Sequence, residues 1–238
     1  LFDKSLILDE LRTQGYSVVA QLSPEKIAET NTFLLSRPVY ADAHVPQTAR
    51  NLHRGPVGRN DAQTSECLCV HTWDAIRAPH LLEIALEYTP FAAEYLDVER
   101  SVAYSMNAFW TRPGPAATRA DIQELHCDQD DDRFLAMFVF LTDVLTDEDG
   151  PQELAGPNNI LRRIYGPAGT VFLSDTMRPH RGLKPRSRER GIWWFRWGIS
   201  ERPAAYVWDK IEPLEARCLG NRYPTDTATR DLLRLLIR

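Results

Sequence analysis

Three side chains stand out for what they could hold between them. In the segment LHCDQD, His126 and Asp128 are two positions apart. On a β-strand, residues i and i+2 project to the same face, so one imidazole nitrogen and one carboxylate oxygen could converge on one ion. A histidine from a neighbouring strand would complete a facial triad of two His and one carboxylate. Such a triad leaves three positions of the metal open, the pattern suited to non-haem iron(II) oxygen chemistry. His180, in SDTMRPHRG, is the best third ligand because it follows an apolar strand-like run and a short turn. His-x-Asp alone fits a strand-end histidine satisfied by a nearby carboxylate equally well, so the elements around it must decide.

Those elements read as follows. Residues 3–13 place Leu6, Ile7 and Leu11 at helical spacing, and Gly15 stops the helix. Residues 15–22 then alternate as a short strand. Ser23-Pro24-Glu25 has the form of an N-cap, an early Pro and an early acid, and predicts a helix over 24–36. Residues 37–63 have no clean period and predict a long loop. Helical periodicity returns over 74–98. From residue 101 the texture changes to apolar and aromatic runs at 102–110, 134–144, 169–175 and 191–199, separated by TRPGP, TDEDGP, GPNN and GLKPRSRERG. Residues 225–238 predict a capped amphipathic helix. The expected fold is α+β with a mainly β core, a sandwich or barrel. One domain spans 1–238, with a mostly helical part to 100, a β core over 101–200 and an extension over 201–238.

With these parts in order, the chain resembles the phytanoyl-CoA dioxygenase-like family of 2-oxoglutarate oxygenases. LRTQGYSVVAQLSPEKIAE resembles its first helix, strand and second helix; FWTRPG followed by LHCDQD resembles its strand, turn and His-x-Asp. FVFLTDVLTDEDGPQELAGPNN resembles its central turn-rich stretch. GTVFLSDTMRPHRG resembles the strand with the distal His, and RSRERGIWWFRWG the strand that opens on an arginine. The resemblance implies a double-stranded β-helix, a jelly-roll or cupin-like barrel with the N-terminal helices packed on one sheet. It implies Fe(II) on His126, Asp128 and His180, with 2-oxoglutarate and O2 as cosubstrates. Arg190 falls on the residue that pairs with the far carboxylate of 2-oxoglutarate, a task suited to a planar guanidinium fork. The implied reaction is hydroxylation of an unactivated C–H bond of a small organic substrate, with release of succinate and CO2. Asp128 stands where related halogenases have Ala or Gly, which favours hydroxylation or desaturation. The chain departs from the family at Gly182, where a small hydroxyl residue is common, and at Pro185, where Asn is common. The interval from His180 to Arg190 is one residue shorter than usual.

Supporting residues are less determined. Asn107 could hydrogen-bond the cosubstrate, yet Trp110, a candidate for substrate contact, falls on the opposite face of a regular strand. A bulge would relax that conflict. Arg196 shares a face with Arg190 and could meet an anionic substrate group; an ion pair with an acid at the barrel rim is the favoured alternative. Asp130, Asp131 and Asp132 read as a solvated turn. Among the remaining histidines, His44, His71 and His80 read as packing or surface residues. His53, with Arg50, Arg54 and Arg59, could sit on a lid over the site.

Composition excludes some classes. A formal net charge of −5 without a dense basic block argues against nucleic acid. No apolar run reaches the ~20 residues that span a membrane, and no signal peptide is visible. Four cysteines in 238 residues do not form a disulfide framework; Cys67, Cys69, Cys127 and Cys218 read as reduced thiols of a cytoplasmic protein. The oligomeric state is open. Two other readings keep the fold: a cupin-like enzyme using another metal, and a ligand-binding domain without turnover.

Overall fold

The computed structural model describes residues 3–41, 67–70, 72–114, 123–129, 131–156 and 158–200. The loop expected over 37–63, the lid expected at His53, and His44, His71, Asp130, Cys218 and the helix expected over 225–238 therefore lie wholly or largely outside the described residues.

The N-terminal elements form where local chemistry places them. Asp3 accepts hydrogen bonds from the amides of Ser5 (3.0 Å) and Leu6 (3.2 Å) and so starts α1, Lys4–Gln14, whose Ile7 and Leu11 are buried. Strand β1 is Tyr16–Gln21. Ser23 caps α2, Pro24–Leu35, with Pro in its first turn. The helical periodicity over 74–98 is carried by two helices: α3, Thr72–Arg77, and α4, Leu81–Tyr95. Between them stand Pro79, which has no amide hydrogen to donate, and His80, whose φ of 69° is not helical. No helix among the described residues is long and apolar enough to cross a membrane.

Among the described residues, ten strands make two antiparallel sheets. The others are β2 (Val39–Ala41), β3 (Cys67–Val70), β4 (Val102–Thr111), β5 (Phe134–Phe140), β6 (Gln152–Ala155), β7 (Leu161–Ile164), β8 (Thr170–Ser174), β9 (His180–Gly182) and β10 (Arg190–Gly198). The larger sheet has the order β1-β8-β5-β10-β4-β3-β2, and the smaller the order β7-β6-β9. This is a double-stranded β-helix with the helices packed on one face of the larger sheet. Strands β5 and β10 are buried along their whole length, as expected of strands covered on both faces. Met137, Trp193, Phe195 and Trp197 pack with Leu11, Leu34, Leu82 and Phe91 toward the helices. Alternate residues, among them Phe138, Phe140, Ile192 and Trp194, pack with Phe109 and Phe172 inside the barrel.

A buried carboxylate fixes the turn between the sheets. Asp149 accepts from the amides of Leu145 and Thr146 (2.9 Å each), and from Arg188 Nε at 2.8 Å. Burial alone would raise its pKa; the Arg188 bond and the two amides outweigh burial and bring it down to about 2. The folded chain therefore binds this proton less well than the unfolded chain, whose carboxyl keeps the ordinary value of 3.8. The stabilisation is full above that ordinary value and fades as pH falls toward the folded one. We expect Asp149→Ala to cost about 2–3 kcal/mol at neutral pH, a drop in Tm of roughly 5–10 °C. The gap to wild type, followed by urea unfolding, should narrow between about pH 4 and pH 2.

Candidate metal centre

The His-x-Asp segment is held beside β9 by backbone bonds. The amide of His126 donates to the carbonyl of His180 (3.0 Å), and the amide of His180 donates back (2.8 Å). Two residues on, the Asp128 amide donates to the carbonyl of Thr176 at 3.0 Å. This pairing sets both imidazoles side by side, with ring centroids 4.4 Å apart. Asp128 Oδ1 lies 3.6 Å from His126 Nε2, and its Oδ2 lies 3.5 Å from His180 Nε2. The three potential ligand atoms all fall within 4.8 Å of one another. Adjacent ligands at ~2.1 Å from an octahedral ion stand about 3 Å apart, so a small inward movement would close these gaps around a metal.

The protonation pattern fits the same use. His126 Nδ1 lies 2.8 Å from the carbonyl of Glu124, and His180 Nδ1 lies 3.0 Å from that of Arg178. A carbonyl only accepts, so both Nδ1 atoms carry hydrogen, and in the neutral rings Nε2 keeps its lone pair for a ligand bond. Burial pushes the His180 pKa down, which favours the neutral ring. For His126, burial also pushes down, but the Asp128 carboxylate and the Glu124 carbonyl outweigh it and the pKa rises. Burial would raise the Asp128 pKa; the Arg196 guanidinium and the two histidines reverse this and hold the carboxyl well below the usual range.

Arg190 opens β10 and is completely buried, 1% exposed. Its Nη1 donates to the carbonyls of Gly150 and Leu183, and its Nη2 donates to Thr111 Oγ1 at 3.2 Å. Its Nε has no hydrogen-bond partner, and no carboxylate among the described residues pairs with it. Burial lowers its pKa to about 10, so the group is still a cation at neutral pH. A side chain at Gly182 would begin 3.0 Å from Arg190 Nη2. Gly182 and His180 share a face of β9 and stand two strand residues, ~7 Å, apart along it, with the guanidinium against Gly182.

Asn107 projects into the barrel, opposite Trp194 in register. It is 1% exposed, and both its amide atoms lack partners among the described residues. Trp110 needs correction. The β4–β10 pairing is regular from Thr111 to Ser105 and shifts only between Arg196 and Trp197, too far along to turn Trp110 inward. Trp110 packs with the helix-side core instead, away from the histidines. Arg196 projects inward and its Nη2 donates to Asp128 Oδ2, so the ion-pair alternative is what the geometry displays. Asp131 is not a solvated turn charge: it is 9% exposed, and its Oδ2 accepts from the amides of Ile199 (2.7 Å) and Ser200 (2.8 Å).

Sequence reading also missed Thr111, although its spacing from Asn107 puts both on one face of β4. It missed a cleft between the sheets lined by Phe138, Gln152, Leu154, Phe172, Ser174 and His180. The strand supplying Gln152 and Leu154, β6, is too short to leave a period.

No family model matches the chain, and no curated protein sequence matches it. Solved structures do. AviO1 from Streptomyces viridochromogenes is 15% identical, with 86% of this chain and 99% of that chain covered, at a TM-score of 0.55. HygX from Streptomyces hygroscopicus, with nickel and 2-oxoglutarate bound, is 12% identical over 87% of this chain and 90% of its own, at 0.57. A Pseudomonas putida prolyl-4-hydroxylase is 17% identical over 82% and 97%, at 0.52. What the chain shares with them is the double-stranded β-helix.

If these three side chains form one metal site, Co(II) should bind at one ion per chain in titration calorimetry. Asp128→Ala and His180→Ala should each weaken that binding by more than about 100-fold, beyond the effect typical of an outer-shell change. Equal affinity in all three proteins would refute the shared site.

Proposed function

We propose that the protein is a 2-oxoglutarate-dependent oxygenase that binds Fe(II) through His126, Asp128 and His180 and hydroxylates a C–H bond of a small organic molecule. The observation that carries this reading is Arg190. A cation buried without an acidic partner is costly, and this one keeps its charge beside a cluster of three potential metal ligands. A dicarboxylate bound at the cluster by one end would bring the missing negative charge to it by the other. Gly182, against which the guanidinium sits, and His180 are two strand residues, ~7 Å, apart, a spacing that a five-carbon keto diacid can bridge.

Each remaining group has a part in this reading. The triad holds the metal on one side only, through two neutral imidazoles and a carboxylate. Arg190, steadied by Thr111 and the carbonyls of Gly150 and Leu183, binds the far carboxylate of 2-oxoglutarate. Asn107 has both a donor and an acceptor without partners among the described residues and completes the polar contacts of the cosubstrate. Phe138, Phe172 and Leu154 wall the cleft and keep water from the reacting groups. Fe(II) with 2-oxoglutarate and O2 supplies a two-electron oxidation, inserting one oxygen atom into the substrate and releasing succinate and CO2. The ordered likeness to the phytanoyl-CoA dioxygenase-like family supports the same assignment. Cys67, Cys69 and Cys127 are unbridged, in keeping with a reducing cytoplasm where Fe(II) persists.

Fe(II) and 2-oxoglutarate added without oxygen should produce a weak visible charge-transfer band, and admitting air should yield succinate even without substrate. Arg190→Ala should raise the 2-oxoglutarate needed for half the band by about 30-fold or more, the loss of a charge-assisted pair worth at least ~2 kcal/mol. No band and no succinate from the wild-type chain would remove the proposal.

A further inference from the structure

The number of positions left on the metal depends on how Asp128 binds. A carboxylate giving one oxygen, with two histidines, leaves three of six. A carboxylate giving both leaves two, which a chelating keto acid fills with no place for dioxygen. Nothing in the placement of Asp128 itself settles this, because its two oxygens face His126 Nε2 and His180 Nε2 at nearly equal distances, 3.6 and 3.5 Å.

Arg196 breaks the symmetry. Its Nη2 bonds Oδ2, the oxygen that faces His180. Its guanidinium is seated firmly: the carbon lies 4.2 Å from the Trp194 ring centroid and 5.4 Å from that of Phe134. Across β5 its register partner is Ala136, whose small side chain gives the guanidinium room. The residue is 5% exposed, so its bond to the carboxylate is little weakened by water. A second tie sits close by. Asp131, three residues past Asp128, holds the amides of Ile199 and Ser200, three and four residues past Arg196. The loop with the carboxylate and the strand with the guanidinium are thus joined at two points.

We infer that Arg196 is a positioning residue that keeps Asp128 a one-oxygen ligand and so preserves the third open position on the metal. The inference rests on the metal reading of His126, Asp128 and His180. Turning Oδ2 onto the metal as a second ligand atom would divide its lone pairs between the ion and Arg196 and weaken a charge-assisted bond inside the barrel.

The test uses Mn(II) as probe and counts metal-bound water by proton relaxation, without cosubstrate and without turnover. Wild type should hold three exchangeable waters. Arg196→Met, which removes the donor, should hold two, and Arg196→Lys, which keeps a cation, should return to three. Thermal unfolding of each metal-free variant checks that it folds. A wild-type count of two overturns the inference whether or not any variant folds, while leaving the metal site standing. A count of three in folded Arg196→Met also overturns it. A wild-type chain that binds no Mn(II) overturns the metal reading and this inference with it.

Discussion

A pair of backbone hydrogen bonds between His126 and His180 governs the rest of the site. The residues are 54 positions apart in the sequence, and the side chains alone give no reason to meet. The reciprocal amide-to-carbonyl pair, 3.0 and 2.8 Å, makes the His-x-Asp segment an extra rung beside β9. Asp128, two positions on, is held by its amide on the Thr176 carbonyl with one oxygen toward each imidazole, and Gly182 falls on the same side of β9 as His180. The first relation builds the three-residue cluster and the second leads from it to Arg190. A one-residue slip in that pairing would turn the carboxylate and the distal imidazole to opposite faces.

The two interior arginines show two solutions to burying a cation. Arg196 has a carboxylate and two aromatic rings, so its charge is balanced within the fold. Arg190 has two carbonyls and a hydroxyl as its hydrogen-bond acceptors among the described residues. Those dipoles orient the guanidinium but do not neutralise it, and its depressed pKa is the measure of what burial still costs. A site arranged to capture an anion gains most from a cation left in this state, because bringing in the counter-charge relieves the strain of desolvation as the ligand arrives. The Asn107 amide, with neither atom bonded among the described residues, is a neutral instance of the same arrangement on the neighbouring strand.

How much of this was legible depends on element length. The long strands β4, β5, β8 and β10 and the helices α1 and α2 announced themselves by apolar runs, caps and breakers, and each formed close to where the residues placed it. The smaller sheet was invisible because its strands have three or four residues and lie in turn-rich segments; only tertiary pairing makes them strands. Strand β3, Cys-Leu-Cys-Val, is equally short. The grouping of His126, Asp128 and His180 was readable because an i, i+2 spacing puts two side chains on one face of an extended segment, although His126 meets His180 through an isolated bridge rather than within a strand. Trp110 was not resolved by the same rule, since alternation says only that it opposes Asn107; which face looks inward is decided by how the helices cover the sheet. The strap made by Asp131 has no sequence signal at all, as the amides it binds belong to a distant strand end.

The departure at Gly182 follows from packing around Arg190. A methyl group there would meet Nη2 at 3.0 Å and the Gln152 amide nitrogen at 3.2 Å, so a hydroxyl-bearing side chain would have to displace the guanidinium. The hydroxyl next to the arginine comes instead from Thr111, across β10 on β4. The Gly150 carbonyl completes the seat, and that residue too has no room for a side chain: with φ at 73°, a Cβ would lie 2.5 Å from the Leu183 carbonyl oxygen, the other backbone acceptor of the same guanidinium. The glycines at 150 and 182 therefore let two turns of backbone close directly around one cation, and the hydroxyl that β9 does not carry is supplied by β4. The position of Arg190 is thus determined by backbone and by Thr111 together, which explains how an altered interval from His180 can still deliver the guanidinium to the inside of the barrel.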